Sequence, residues 1–253
     1  MLIEKTLFGI ENKVETAIER LKYFEPPEGY YLAFSGGKDS ITIKDLARRA
    51  GVGFETVHNL TTIDPPELIR YMRDHHLDVI IDRPAKPFLQ RLPEIGFPQR
   101  HRRWCCGEYK ERGGSGRYVV TGVRWAESVN RRNRKSFETC YKDRTKKYVN
   151  PIIDWTDDDV WQYIHENDLP YCELYDQGWK RIGCLFCPMA GKMRLVQAER
   201  YPKYVKAYLR AFEKLYATGR ESMKRWKDHE EMFWWWLKDD RKRVEPDQLM
   251  IFE

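Results

Sequence analysis

The chain predicts an α/β fold, a parallel sheet with helices on both faces, and three observations carry that expectation. A short apolar run, Tyr30 to Phe34, ends in the glycine turn Ser35-Gly36-Gly37-Lys38-Asp39-Ser40 and passes into Ile41 to Ala47, which has helical apolar spacing. Strand-like runs then alternate with helix-like ones, the pattern of a parallel sheet covered by helices. Finally, 253 residues make one substantial domain with room for a small appendage.

The elements follow in order. Ile3, Leu7, Ile10, Val14, Ile18 and Leu21 are spaced for a helix over residues 3 to 23, which Pro26-Pro27 stops. Strand one is Tyr30 to Phe34, and the helix after the glycine turn runs to about Ala50. Gly51-Val52-Gly53 leads into a second strand, Phe54 to Asn59, followed by a loop from Leu60 to Pro66 and a helix from Glu67 to His75. Val79-Ile80-Ile81 reads as a third strand and Phe88 to Ile95 as a helix. Tyr118 to Gly122 reads as a buried strand ending in glycine. Asp157 to Asn167 is a helix with an acidic first turn, and Thr156 is placed to cap it. From Met193 onward the pattern is helical, charged and aromatic. The expected division is therefore residues 1–192 as the α/β domain and 193–253 as a helical C-terminal extension.

No apolar run approaches a membrane span, and the start Met-Leu-Ile-Glu-Lys lacks the layout of a secretory signal, so the protein is read as cytoplasmic. The net charge of +6 is modest, but its distribution is telling: Arg100 to Arg103, Arg131, Arg132, Arg134 and Lys135, and Lys142 to Lys147 fall mid-chain. Basic stretches attract polyanions, either a nucleic acid or a nucleotide's phosphates. Lys142 to Lys147 taken alone reads as a solvated loop face. Trp234-Trp235-Trp236 reads as core packing or a partner surface rather than a base-stacking platform.

The glycine turn has phosphate chemistry. Two glycines let the backbone turn tightly and bring its N–H groups near a ligand, and the following helix N-terminus adds partial positive charge. Lys38 adds a full charge, and Ser35 and Ser40 add hydroxyls. The spacing of a Walker A loop is missing. In a parallel sheet such a turn lies beyond the carboxyl ends of the strands, where ligands bind.

Six cysteines are present: Cys105, Cys106, Cys140, Cys172, Cys184 and Cys187. For a cytoplasmic chain a metal or redox role precedes disulfides. Cys184-Leu-Phe-Cys187 has the Cys-x-x-Cys spacing, and Cys105-Cys106 supplies a second pair. Zinc and an iron–sulfur cluster both accept four thiolates. An adjacent Cys-Cys is awkward around one small tetrahedral ion, whereas a cubane spreads its ligands over four irons.

SGGKDS resembles the PP-loop of the ATP pyrophosphatase superfamily (adenine nucleotide α-hydrolase-like), whose members bind a nucleotide's terminal phosphates and act at its α-phosphate. Arg103-Trp104-Cys105-Cys106-Gly107-Glu108-Tyr109-Lys110, with 77 residues between Cys106 and Cys184-x-x-Cys187, is similar to the cysteine pattern of the adenylylsulfate reductases. Thr121 to Ser128 is similar to that family's Gly-x-Arg-x-x-x-Ser segment. Trp155 to Trp161 and Leu174-Tyr175-Asp176-Gln177-Gly178-Trp179 to Cys184 extend the likeness over roughly residues 30–190. The resemblance implies a [4Fe–4S] cluster on Cys105, Cys106, Cys184 and Cys187, with Cys140 and Cys172 outside it. It also implies ATP or another adenine nucleotide on Ser35, Gly36, Gly37, Lys38, Asp39 and Ser40, with Mg²⁺. Thr61, Asp64 and Gly122 are further expected nucleotide contacts, and Lys38, Asp39 and Arg124 the expected catalytic groups.

Two departures shape the functional expectation. The reductases carry a nucleophilic cysteine within Glu-Cys-Gly-Leu-His, whereas here no cysteine follows Cys187. Where they have Asp-Thr-Gly before a Pro-Glu-Thr loop, this chain has Asn59 to Glu67. Both point toward the phosphoadenylylsulfate (PAPS) reductase-like ATP pyrophosphatases of DNA phosphorothioation, which activate a substrate for sulfur insertion. The expected partners are then an adenine nucleotide, a nucleic-acid acceptor and a cysteine desulfurase as sulfur source. An adenylylsulfate or phosphoadenylylsulfate reductase that takes its thiol from Cys140 or Cys172 is the alternative, and a non-enzymatic iron–sulfur scaffold a third.

Overall fold

The computed structural model describes residues 2–6 and 9–238. It divides into two compact units: residues 1–60, 64–83 and 109–183 form the first, and 61–63, 84–108 and 184–253 the second. All of the sheet lies in the first unit.

Its order is β5(Ile80–Asp82), β4(Phe54–Asn59), β3(Tyr30–Ala33), β6(Tyr118–Val120), β8(Lys147–Val149), β7(Phe137–Thr139). The first five strands run parallel, and β7 closes the edge antiparallel to β8. With helices on both faces, this is the expected fold class. Buried β3 is the hinge of the topology. Successive strands β4 and β5 go to one side of it and β6 to the other, so the crevice at the carboxyl ends of β3 and β6 is the place where ligands bind in such sheets. The strand core is Tyr31, Val57 and Val119, and Tyr30 donates its hydroxyl to the Leu21 carbonyl at 2.7 Å.

The helix α2(Lys38–Ala50) buries most of its length and stops at Gly51, whose φ of 70° is the left-handed conformation glycine accepts without a Cβ penalty. The helix α5(Asp157–Glu166) starts as expected: the Thr156 hydroxyl accepts from Asp159 N–H at 3.1 Å, and the Asp159 carboxylate accepts from Thr156 N–H at 2.8 Å. α3(Pro66–His75) has its proline in the first turn, where a missing N–H costs nothing.

The expected helix over residues 3–23 is corrected. The structure has a strand pair, β1(Ile3–Thr6) and β2(Gly9–Asn12), and the helix α1 begins only at Lys13 and ends at Tyr23. Asn12 is the reason for the start: its Oδ1 accepts from Val14 N–H at 3.1 Å and from Glu15 N–H, a cap that fixes the first turn there. Gly9, at φ 128°, is outside helical backbone. Leu7, counted in the helical spacing, lies outside the described residues.

Strands β7 and β8 were not expected. The Lys142 to Lys147 stretch, read as a solvated loop, is partly structural. Lys146 is buried and donates to the Glu111 carbonyl at 2.8 Å, while Lys147 opens β8.

The second unit is helical: α4(Phe88–Ile95), α6(Met193–Arg200), α7(Pro202–Tyr216) and α8(His229–Lys238). The tryptophan triplet lies on α8. Trp236 is core, donating its indole N–H to the Pro98 carbonyl at 2.7 Å beneath the Arg194 guanidinium, 4.3 Å from its ring centre. Residues 239–253, the end of the expected extension, lie outside the described residues.

Candidate phosphate-binding site and cysteine centre

The glycine turn sits at the end of β3 and the start of α2. Gly36 has φ 71°, a conformation that favours glycine, and a Cβ there would also displace the Leu68 side chain, whose Cδ1 would stand at 2.7 Å. The hydroxyls knit the loop. Ser40 Oγ donates to the Gly37 carbonyl at 2.8 Å, Ser35 Oγ stands 3.2 Å from Ser40 Oγ, and Gly37 N–H points to Ser35 Oγ at 3.3 Å.

Gly122, just past β6, lets this turn approach. A Cβ at 122 would stand 2.7 Å from Asp39 Cβ and 3.0 Å from its carbonyl carbon. Gly122 and Asp39 are therefore in direct contact.

Four charged groups meet at the first turn of α2. Lys38, almost fully buried, has its ammonium 3.3 Å from Asp157 Oδ1 and 3.7 Å from Asp39 Oδ2. Arg124 is wholly buried, and each of its guanidinium nitrogens has a partner: Nε donates to Asp39 Oδ1 at 2.7 Å, Nη1 to the Trp155 carbonyl at 3.2 Å, and Nη2 to Asp157. Burial alone would favour losing the guanidinium charge, but Asp39 and Asp157 hold it. Desolvation raises the Asp157 pKa, yet Arg124 and Lys38 outweigh it and leave the carboxyl below its usual range. Arg124 thus braces two carboxylates rather than facing open solvent.

Sequence reasoning missed Asp157 and Tyr175. Asp157 lay in view as the first acidic residue of α5 and within the Trp155 to Trp161 likeness, but with no role at the loop assigned to it. Tyr175 lay in the Leu174 to Trp179 segment and accepts the Lys38 N–H at 2.9 Å. His58, at the end of β4, also escaped notice. Its Nδ1–H donates to the Phe34 carbonyl at 2.9 Å and its Nε2 stands 4.0 Å from Asp64 Oδ2, with burial holding its pKa below the usual value. Asp64 is therefore placed beside His58. Thr61 falls in the second unit, where its Oγ1 accepts from Cys184 Sγ–H at 3.5 Å and from Ile63 N–H at 3.4 Å.

The four cysteines expected to act together all lie in the second unit. Cys106 opens a wide helical turn, Cys106–Lys110, and Cys184–Cys187 forms a tight turn in which Phe186 takes φ 59°. Buried Tyr208 and Gln197 hold that turn, donating to the Leu185 carbonyl at 3.2 Å and accepting from Phe186 N–H at 2.8 Å respectively. The Cys105 thiol is pushed far up by its hydrogen bond with Cys106, then by burial and by charge on Cys106, Cys184 and Cys187, so the four sulfurs sense one another. Among the described residues no group of three or more His, Cys, Asp or Glu is set to hold a metal ion. Cys172 is fully buried and its thiol pKa is raised by burial. Cys140 differs. Burial would raise its pKa, but the Tyr148 hydroxyl at 3.7 Å, the Asp143 and Lys142 amides and the Lys146 charge together lower it.

With this geometry in view, the comparisons decide the family. The model of the phosphoadenosine phosphosulfate reductase domain matches residues 29–190. The chain belongs to that family. Two uncharacterized proteins of Methanocaldococcus jannaschii are 28% identical over 222 residues (78% of this chain, 51% of that protein) and 31% identical over 213 residues (77% and 44%). The chain thus spans about half the length of these relatives. An adenosine 5'-phosphosulfate reductase of Geobacillus kaustophilus is 28% identical over 199 residues, 73% of this chain and 84% of that protein. Among solved structures, a phosphoadenylyl-sulfate reductase from Candida auris in a phosphate complex superposes with a TM-score of 0.52 at 21% identity, covering 67% of this chain and 88% of that one. That superposition extends the reductase-domain likeness to the fold. Among the described residues no helix is long and apolar enough to cross a membrane.

Proposed function

We propose that this phosphoadenosine phosphosulfate reductase-family protein is an ATP pyrophosphatase that activates an acceptor for sulfur transfer. The carrying observation is the close-packed turn at residues 35–40, with Gly36 and Gly122 making room and Lys38 buried at its head. The amides at the start of α2 and the Lys38 ammonium suit the β- and γ-phosphates of ATP. An acceptor oxygen attacks the α-phosphorus, the bond to the bridging oxygen breaks, and pyrophosphate leaves. Catalysis is chiefly positioning and neutralisation of phosphate charge. Arg124 is a positioning residue, since it is wholly buried and each of its three guanidinium nitrogens bonds to Asp39, Asp157 or the Trp155 carbonyl. Asp39, whose Oδ2 has only the Lys38 ammonium at 3.7 Å, and exposed Asp157 are the carboxylates suited to Mg²⁺, which would neutralise phosphate charge.

The cysteine centre suits a [4Fe–4S] cluster by the kind and number of its donors, four cysteines of one unit. Cys105, Cys106, Cys184 and Cys187 would hold it, and it would supply electron or sulfide chemistry. The acceptor we favour is a nucleic acid, drawn to exposed Arg102, Arg103, Arg132 and Lys135, with a cysteine desulfurase delivering the sulfur. Arg131 and Arg134 contribute less, being paired with Glu127 and Glu138. The protein is expected to work in the cytoplasm.

A specific observation favours a second reading, sulfonucleotide reduction. Relatives carry the reductase name, and Cys140 has a lowered thiol pKa, the property a sulfur-attacking nucleophile needs. Incubating anaerobically purified protein with ATP, or with adenylylsulfate and a dithiol reductant that releases sulfite from the thiosulfonate, separates the two. Pyrophosphate from ATP supports the first, whereas sulfite from adenylylsulfate, lost in Cys140→Ser, supports the second.

A further inference from the structure

We infer that Tyr175 is a further ligand of the nucleotide's phosphates, its hydroxyl accepting the Lys38 N–H and donating its own proton to a phosphate oxygen at the start of α2. The inference rests on residues 35–40 being the phosphate site and adds to it a side chain from a distant stretch of sequence.

A phenol oxygen has one proton and two lone pairs. The Lys38 N–H, at 2.9 Å, takes one lone pair and so fixes where the oxygen stands, at the amide end of α2. The hydroxyl proton meets no acceptor in the described protein and is available to a ligand. The oxygen also stands 3.3 Å from where a Cβ on Gly37 would be, so any side chain at 37 would press on it. Residue 37 has ordinary φ and needs no glycine for its backbone, so room for this hydroxyl, and for Ser35 Oγ at 3.4 Å, is what a side chain there would take away.

The ring is seated rather than free. It meets Trp161 edge-on at 5.0 Å and 85°, and Tyr171 at 6.3 Å. Trp161 lies one helical turn after Asp157 on α5, so the face of α5 that offers a carboxylate to Lys38 and Arg124 also places Tyr175. Burial pushes the phenol pKa up, so the group keeps its proton at neutral pH and remains a donor.

The test is calorimetric titration of ATP and of adenosine into wild type and Tyr175→Phe, with thermal melts of both. The expected result is about tenfold weaker ATP binding, the worth of one hydrogen bond to a charged acceptor. Adenosine affinity and Tm should stay close to wild type. Unchanged or tighter ATP binding would overturn the inference and make the hydroxyl a placeholder that the phosphate displaces. Equal weakening of ATP and adenosine would also overturn it, since a role in shaping the pocket moves both. A wild type that binds no ATP would instead refute the phosphate site itself, and this inference with it. Should Tyr175→Phe not fold, Trp161→Phe keeps the hydroxyl and loosens its seat. ATP affinity should then fall selectively, and wild-type ATP affinity in that variant would count against the proposal.

Discussion

Replacing Gly122 with alanine is the sharpest single perturbation of the phosphate site, because it adds one methyl group outside the loop it disturbs. The new carbon would stand 2.7 Å from Asp39 Cβ, 3.0 Å from its carbonyl carbon and 3.1 Å from its carbonyl oxygen. Favourable carbon–carbon contact begins near 3.5 Å, so β6 and the first turn of α2 must separate by several tenths of an ångström or more. Overpacking of this kind costs about 1–3 kcal/mol. Against a total stability of roughly 5–15 kcal/mol the protein stays folded, with Tm lower by a few degrees. Binding suffers more, since the displaced residues include Asp39, its partner Arg124 and the amides at the head of α2. To the extent that the free loop relaxes and the strain is felt on binding instead of in the melt, ATP affinity drops, by up to about 5- to 150-fold. Gly53→Ala is the control: its Cβ would meet neighbours at an ordinary 3.6 Å, and both Tm and affinity should hold. Calorimetry and a thermal melt measure both quantities. A Gly122→Ala protein with wild-type affinity and Tm would refute the claim that close approach of these backbones builds the site.

Other outcomes follow from the same geometry. Lys38→Ala should weaken ATP binding by roughly tenfold or more, because a charge-assisted phosphate contact is worth about 1.5–3 kcal/mol; equilibrium dialysis checks it. Anaerobically purified protein should be brown with about four irons per chain, and Cys105→Ser or Cys184→Ser should lose iron and melt lower, whereas one zinc in a colourless protein would decide against the cluster. Stability should fall as pH drops from about 6.5 to about 4. His76, whose pKa is lowered to about 4 by burial and by the neighbouring Lys44, stays neutral in the fold while the unfolded chain takes up the proton, and urea melts of His76→Gln should show a flatter profile across that window. Binding of DNA or tRNA should weaken steeply with added salt, and filter binding at two salt concentrations reads the slope.

What could be read from the sequence was set by the reach of the interactions. The turn at residues 35–40 was legible because its chemistry is local: two glycines, a lysine and two hydroxyls between a strand and a helix. β4, α2 and α5 were legible for the same reason, through apolar spacing and, in α5, the Thr156 cap. The first twelve residues misled because Ile3 and Ile10 fit a helical spacing that Gly9 and the Asn12 cap interrupt. Strands β7 and β8 have three residues each, too few for a periodicity to show. Within the site, Arg124 was legible as a charge but not as a brace, since that role depends on Asp39 and Asp157, 85 and 33 residues away. Tyr175 meets Lys38 across 137 residues, and no local pattern announces such a contact.

The proposed function stands on residues 35–40 holding a nucleotide by its phosphates. A titration series of ATP, ADP, AMP and adenosine into the wild-type protein, with inorganic pyrophosphate as competitor, tests this binding itself. Saturable binding of ATP at one site per chain, affinity falling with each phosphate removed, and displacement by pyrophosphate are expected. Adenosine binding as tightly as ATP, or ATP binding that pyrophosphate leaves untouched, would contradict it.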